Sequence, residues 1–482
     1  MHKALTFQYL TGFTGGGNML LIGNGRLITR DEGQPFIENG AVACDGKLII
    51  EVGDHSVLKS KYPDAEFIDA KGGLIMPGLI NAHNHIYSAM SRGISINGYA
   101  PRGFLDILDG MWWTLDRHLD LEATHYSAAA TYIDCIKNGC TTIIDHHASF
   151  GGIEGSLFAI AEESLKYGIR SCLCYETSDR DGEEKCDQAV KENIDFIRYC
   201  RKLKDDMERI NDNDGDPADT AIYKSDLLAA TFGMHAQFTL SDKTLEKCVS
   251  EAPDGCGFHI HVAEGIEDLH DSLKKHHKRI VDRLNDFGIL GSHTILGHCI
   301  YINGHEMDLI RDTDTMVVHN PESNMGNAVG CPPTLKIMSK GILTGLGTDG
   351  YTNDMFESMK VANVLHKHNL CDPTVAWSEV PLMLFENNAL MAGRFFDTPV
   401  GKLKTGYSAD VITLDYDPLT PMDGSNCNGH ILFGISGRYV TSTICAGRVL
   451  MKDRVIPDFD GEAFYAHCRE VSRRVWNSIN SR

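Results

Sequence analysis

No stretch of the chain approaches the roughly 20 consecutive apolar residues that a membrane-crossing helix needs. The first eighteen residues, MHKALTFQYLTGFTGGGN, lack a basic stretch followed by a clean apolar run and a cleavage site. These absences set the expectation of a cytoplasmic protein without a membrane partner. Positive charge is scarce, with 45 Lys plus Arg against 66 Asp plus Glu and a net charge of −21. That balance argues against nucleic acid as a partner, because phosphate binding needs clustered cations. Cysteine pairs of the C-x-x-C type are missing; the 15 cysteines are an odd number scattered from Cys44 to Cys468, the closest being Cys172 and Cys174. A secreted disulfide framework shows an even count in a much shorter chain, so reduced, mostly buried thiols are expected. A glycine-rich dinucleotide loop after an early strand is also absent, which argues against NAD.

What is present is ordinary globular composition, 42% hydrophobic and 23% charged, over 482 residues, which exceeds one average domain. Residues 1–18 differ in character from the rest of the chain and read as an extension. Residues 19–75 read as short strands broken by turns, starting at MLLIGNGRLIT, with Asp45-Gly46 splitting two apolar runs like a hairpin. Residues 399–460 repeat that character, and 461–482 read as a C-terminal helix. Two β-rich ends flanking a long middle suggest one small β-sandwich built from both termini.

The middle, 76–398, alternates short apolar runs with amphipathic stretches, the pattern of βα units. Eight strands are expected, at Gly78–His85, Cys140–His147, Ile169–Tyr175, Ala229–His235, Gly257–His261, Thr294–His298, Met316–His319 and Ile342–Gly347. Eight fit a (β/α)₈ barrel of the TIM type, of α/β class, better than an open sheet. The acidic stretch Lys204–Asp219 reads as an exposed insertion or a long helix end.

Barrel strands deliver their carboxyl ends to the active face. His83, His85, His147, His235, His261, His298, His319 and Asp349 all fall at or just past expected strand ends. One such histidine is usually a packing residue; eight polar residues in register are hard to explain that way. His83 and His85 stand two apart, so both imidazoles share a strand face and can converge on one ion. His261 offers a third imidazole, with Glu264 three residues on and able to move protons. His259 shares the face of His261 but reads as a core residue or a support behind the ligands. Asp349, in Thr-Asp-Gly, can ligate or accept a proton, although Asp-Gly is also a common turn. His298 has no local partner and suits a hydrogen-bond donor to the attacked group. Trp112 and Trp113 either stack on a flat heterocycle or pack in the core. Arg92 either binds substrate or forms a surface ion pair. Of His146 and His147, one can reach the pocket.

In this order, PGLINAHNH, HVAE, LGHC, HNPESN and GLGTDG resemble the amidohydrolase superfamily, in its chlorohydrolase, guanine deaminase and cytosine deaminase-like branch. CYETSDRDG and HAQFTLSD are similar, more narrowly, to the SsnA group of aminohydrolases. The resemblance runs from Met19 to the C-terminus. It implies that His83, His85, His261 and Asp349 bind one divalent metal, zinc or alternatively iron. It casts Glu264 as proton shuttle, His298 as the group that polarises substrate, and Asp349 as acceptor of the water's proton. It further implies substrate contacts from His235, His319 and Asn324, and a homodimer. Two-metal relatives use a carboxylated lysine on the fourth strand; Thr231–Leu240 holds none, so a mononuclear site is expected. After HNPESN the chain reads MGNAVG where many relatives carry a Lys- or Leu-containing loop, so pterin, triazine or nucleoside specificity does not transfer. The implied reaction is hydrolytic deamination of a small purine- or pyrimidine-like heterocycle, in a setting of purine metabolism. Ring opening of a cyclic amide on the same site is the alternative, and a metal-free scaffold or another barrel chemistry fits the fold alone.

Overall fold

The computed structural model describes residues 19–211 and 225–481. The expected extension 1–18 lies outside them. Of the acidic stretch, the first part continues the helix Glu183–Asn211 and the rest lies outside the described residues.

The barrel strands run in sequence order. Strands β6 (Leu79–Asn84), β7 (Cys140–Asp145), β8 (Arg170–Leu173) and β9 (Leu228–Ala230) form one parallel arc. Strands β10 (Phe232–Ala236), β11 (Phe258–Val262), β12 (Ile295–His298), β13 (Met316–His319) and β14 (Thr344–Leu346) form the other. Parallel bridges Thr177↔Met234 and Asn84↔Asp349 join the arcs at both seams. The result is an α/β barrel of the TIM type, with helices such as Leu121–Asn138 and Met355–Leu370 outside. The barrel strands are almost entirely buried, as parallel strands covered by helices must be.

One expected strand differs. Ala229–His235 is two strands, broken at Thr231, whose hydroxyl bonds the Gly257 carbonyl at 2.8 Å. Ahead of the break the chain pairs with β8; behind it, with β11. Gly233 then passes so close to the backbone of Tyr175 that a Cβ there would stand 2.3 Å from its carbonyl oxygen. An apolar run does not show a change of neighbour, so the sequence reads as continuous.

The strands of the two chain ends share one eight-stranded sheet. Its path runs β17 (Arg448–Met451), β16 (Val440–Cys445), β15 (Val411–Leu414), β5 (Leu74–Pro77), β1 (Leu20–Ile28), β2 (Phe36–Asp45) and β3 (Leu48–Asp54), with β4 (Glu66–Asp69) beside β1. β5 pairs antiparallel with β15, which stitches the ends together. A fully buried ion pair ties this sheet to the barrel. Arg170 of β8 grips both carboxylate oxygens of Asp410, and also bonds Ser408 Oγ at 3.0 Å and Thr142 Oγ1 at 3.1 Å. Asp410 in turn accepts from Thr141 Oγ1 and the Ala446 amide. Removing one partner of such a pair strands the other charge out of water. Asp410→Ala is therefore expected to lower unfolding stability by about 3–5 kcal/mol, checked by denaturant titration.

Candidate metal centre and cavity

Four side chains meet inside the carboxyl-terminal mouth of the barrel. One ligand atom from each of His83, His85, His261 and Asp349 lies within 4.8 Å of all the others, and all four residues are buried. The first two stand at the end of β6, on residues whose side chains share one face; the third lies on β11. Asp349 follows β14, with a positive φ of 56° that turns its carboxylate back over the mouth. Backbone bonds from the Thr348 and Asp349 amides to the His83 carbonyl, at 2.9 and 3.0 Å, hold the last strand against the first.

Each imidazole is fixed from behind. His83 Nδ1 bonds His259 Nε2 at 2.8 Å, His85 Nδ1 donates to the His146 carbonyl, and His261 Nδ1 donates to the His235 carbonyl at 2.9 Å. The Nε2 atoms are thus the ones turned inward: His85 and His261 face each other at 3.2 Å, and His83 Nε2 is buried without a hydrogen-bond partner. Such tethering of the far nitrogen is how proteins orient imidazole ligands. Burial, reinforced by the neighbouring histidines, holds His83 and His261 well below the usual imidazole range, so both rings are neutral donors. For His85, burial works downward, but Asp349 and Glu176 outweigh it and raise the ring to about 10. Its proton then sits on Nε2, 2.7 Å from Asp349 Oδ1, where a divalent ion would replace it. Three nitrogens and one carboxylate oxygen are a donor set that suits zinc or iron and does not suit calcium or magnesium. His85 and His261 also converge with His146 and Glu176. Because two rings are common to both sets, the sets compete for the same space.

Beside these four side chains lies a second buried group. Glu264 Oε2 is 3.5 Å from His298 Nε2, and Asn327 Nδ2 donates to Oε1 at 3.1 Å. Burial and the charge of Asp349 push the Glu264 carboxyl well above its ordinary range. Asn324 Nδ2 donates to His298 Nδ1 at 2.8 Å, leaving the proton of that ring on Nε2, which faces Glu264 and Asp349 Oδ2. Burial keeps His298 neutral by lowering it to about 4. Burial would raise Asp349, yet the protonated His85, above all, outweighs this by its charge and its hydrogen bond and holds the carboxylate ionised; Ser323 Oγ also donates to its Oδ2.

The cavity above this cluster measures ≈ 580 Å³ including its mouth. Its walls include Tyr87, Phe104, Trp112, Trp113, His235 and Phe238. Both tryptophans therefore face the cavity. They stand on a segment that crosses the mouth and contains one turn of π-helix, Leu108–Trp112. Three residues expected to contact substrate stand outside the lining of this cavity. Arg92 is half-exposed and paired with Asp134, the ordinary fate of an arginine in water. His319 does not line the cavity; its ring packs on His366, centroids 4.9 Å apart. Asn324 is buried behind His298 and orients that ring, with no face on the cavity. Of the pair after β7, neither lines the cavity, but His146 joins the cluster behind His85, whereas His147 Nε2 pairs with Ser149 Oγ. His259 is the support of His83.

Glu176 is the residue that sequence reasoning missed. It is 2% exposed, lines the cavity, and follows the third barrel strand in CYETSDRDG. The strand-end rule that selected the histidines applies equally to this carboxylate.

The sequence profile of the amidohydrolase family matches residues 74–450. The chain is 28% identical over 475 residues to a 5′-deoxyadenosine deaminase of Methanosarcina mazei, covering 96% of this chain and 99% of that one. It is 30% identical over 393 residues to a 5-methylthioadenosine/S-adenosylhomocysteine deaminase of Thermococcus onnurineus, covering 80% and 84%. In fold it is similar to an adenosine deaminase of Xanthomonas campestris solved with bound zinc, with TM-score 0.77, 20% identity and coverage of 95% and 98%. This chain belongs to the amidohydrolase family. It is a metal-dependent hydrolase of carbon–nitrogen bonds other than peptide bonds.

Proposed function

We propose that the chain deaminates a small nitrogen heterocycle by hydrolysis, with His83, His85, His261 and Asp349 holding one divalent ion, zinc in preference to iron. The observation that carries this reading is the convergence of three inward-turned imidazole nitrogens, each ring tied from behind, on one carboxylate. The names of the relatives supply the reaction type, and the zinc in the Xanthomonas campestris enzyme supports the metal.

A bound ion of this kind contributes Lewis acidity, which lowers the pKa of water from about 15.7 to about 7. The residues divide the remaining work. Asp349 is ionised and accepts the proton given up by the attacking water. Glu264, poised to hold a proton in its buried site, delivers one to a ring nitrogen or to the departing amine. His298 presents Nε2–H to the charge that develops on the attacked group, and Asn324 keeps that tautomer in place. The aromatic walls hold a flat ring against the cluster and exclude water from it.

The reading extends to architecture and setting. Leu20, Ile22, Val42, Leu403, Val411 and Ile444 bury into one cluster, which supports a small β-sandwich formed by residues 19–75 and 399–460 around a barrel domain of residues 76–398. The fifteen unpaired cysteines fit a reducing compartment, the cytoplasm. Family resemblance supports a homodimer.

Elemental analysis of the purified chain, paired with an ammonia-release screen over aminated purines, pyrimidines and pterins, tests the reading. About one zinc or iron per chain, with ammonia released from a screened ring, is the expected result. Metal with a ring-opened product in place of ammonia would replace deamination by cyclic-amide hydrolysis. No metal in the protein as purified, and none taken up on reconstitution, would overturn the catalytic assignment.

A further inference from the structure

The charge of the cavity is one-sided. Glu176, Glu264, Asp268 and Asp349 line it, and among the described residues no lysine or arginine does. Three of these carboxylates are occupied. Asp349 and Glu264 belong to the reacting cluster, and Asp268 accepts from Gln237 Nε2 at 2.7 Å and from the Ala263 amide at 2.8 Å.

Glu176 is different. Its Oε1 is buried and turned away from the cavity. His85 Nδ1 and His146 Nδ1 approach it at 3.3 and 3.2 Å. The first already donates to the His146 carbonyl, and the His146 ring is anchored by Nε2 to the His259 carbonyl at 3.0 Å. Oε2 lies 3.9 Å from His235 Nε2, on the cavity side, while His235 Nδ1 is engaged by Thr239 Oγ1. The neighbouring guanidinium, Arg180, does not line the cavity, and both its terminal nitrogens are engaged elsewhere. It grips both oxygens of Asp116 and stacks over Phe150 and Trp113, its carbon 4.2 and 5.2 Å from the ring centroids. Oε2 therefore faces the cavity, and a carboxylate oxygen in so dry a place is expensive unless something donates to it.

We infer that Glu176, with His235 beside it, forms a specificity subsite that accepts N–H donors from the substrate ring, and that the substrate is an uncharged or cationic aminoheterocycle bearing no carboxylate or phosphate. This rests on the deaminase reading for the reaction, but not for the binding preference. The donor edge satisfies Oε2, the oxygen on the cavity side, without introducing a new charge. An anionic group placed at this subsite would instead meet the Glu176 carboxylate, with no lysine or arginine lining the cavity beside it.

The test is equilibrium binding by calorimetry to the protein with zinc in excess, across a charge series: adenine, adenosine, guanine and isocytosine against adenosine 5′-monophosphate and adenosine-5′-carboxylic acid. In the wild type, at least one uncharged member is expected to bind roughly 10-fold or more tightly than either anionic one. Glu176→Gln is expected to weaken that ligand by roughly 10- to 100-fold and to narrow the gap to the anionic members, with zinc content unchanged. Anionic members binding as tightly as uncharged ones, no uncharged member binding, or a Gln variant with unaltered preferences would each overturn the subsite. If the variant does not fold, the wild-type series decides alone. Ammonia release from the same compounds separates the two readings. The expected binding order without ammonia sinks the deaminase and leaves the subsite; equal ammonia from anionic and uncharged members does the reverse.

Discussion

Glu264→Gln leaves the metal content of the protein unchanged and lowers kcat by about 10²- to 10⁴-fold, the usual contribution of a positioned proton-transfer group. The amide keeps the shape of the side chain and its contact with Asn327 Nδ2, so folding is preserved. What it loses is the exchangeable proton. In the intact protein, burial and the adjacent charge of Asp349 favour the protonated carboxyl, the form required to protonate a ring nitrogen. The measurement is steady-state ammonia release by both proteins, with zinc determined on the same samples. Equal kcat in both would remove Glu264 from the reaction.

His261→Ala has the larger structural consequence. It deletes one of three nitrogens and leaves His85 Nε2 and Asp349 facing a gap. Zinc content is expected to fall well below one per chain, and activity to below about one-thousandth of wild type. A ligand that binds only the folded state stabilises it by about 4 kcal/mol at a thousand times its dissociation constant. A chelator should therefore lower the Tm of the wild type by several degrees and leave that of the variant where it was. Because His261 belongs to both convergent sets, retention of full zinc by His261→Ala would remove it from the metal site altogether.

Much of this site is legible in the sequence because barrel geometry makes it so. Residues two apart on a strand share a face, and strand ends share a rim, so His83, His85, His261 and Asp349 can be brought together on paper. What cannot be read is the direction a side chain takes after its strand ends. His319 and Asn324 sit in the same motif, yet one packs on His366 and the other turns behind His298. Arg92 caps the far end of a 3-10 turn, Ile86–Ser91, that carries the chain from the ligand pair out of the mouth to the surface. Glu176 escapes a reading tuned to histidine, although its position at a strand end is in no way unusual. The exchange of partners at Thr231 depends on hydrogen bonds to Gly257 and Leu173 that no local pattern encodes.

The seam between the first and last barrel strands bears on how the protein comes into being. Asn84 bonds the Asp349 carbonyl and Asn353 Oδ1 across 265 and 269 positions of sequence, and the same seam sets two of the ligand residues against a third. A chain still emerging from the ribosome carries His83, His85 and His261 long before Asp349 arrives to face them. Contacts of such separation form late, after the loops between them have closed. If the proposed ligand set holds an ion, that ion is the last component to find its place, and its retention would certify a finished barrel.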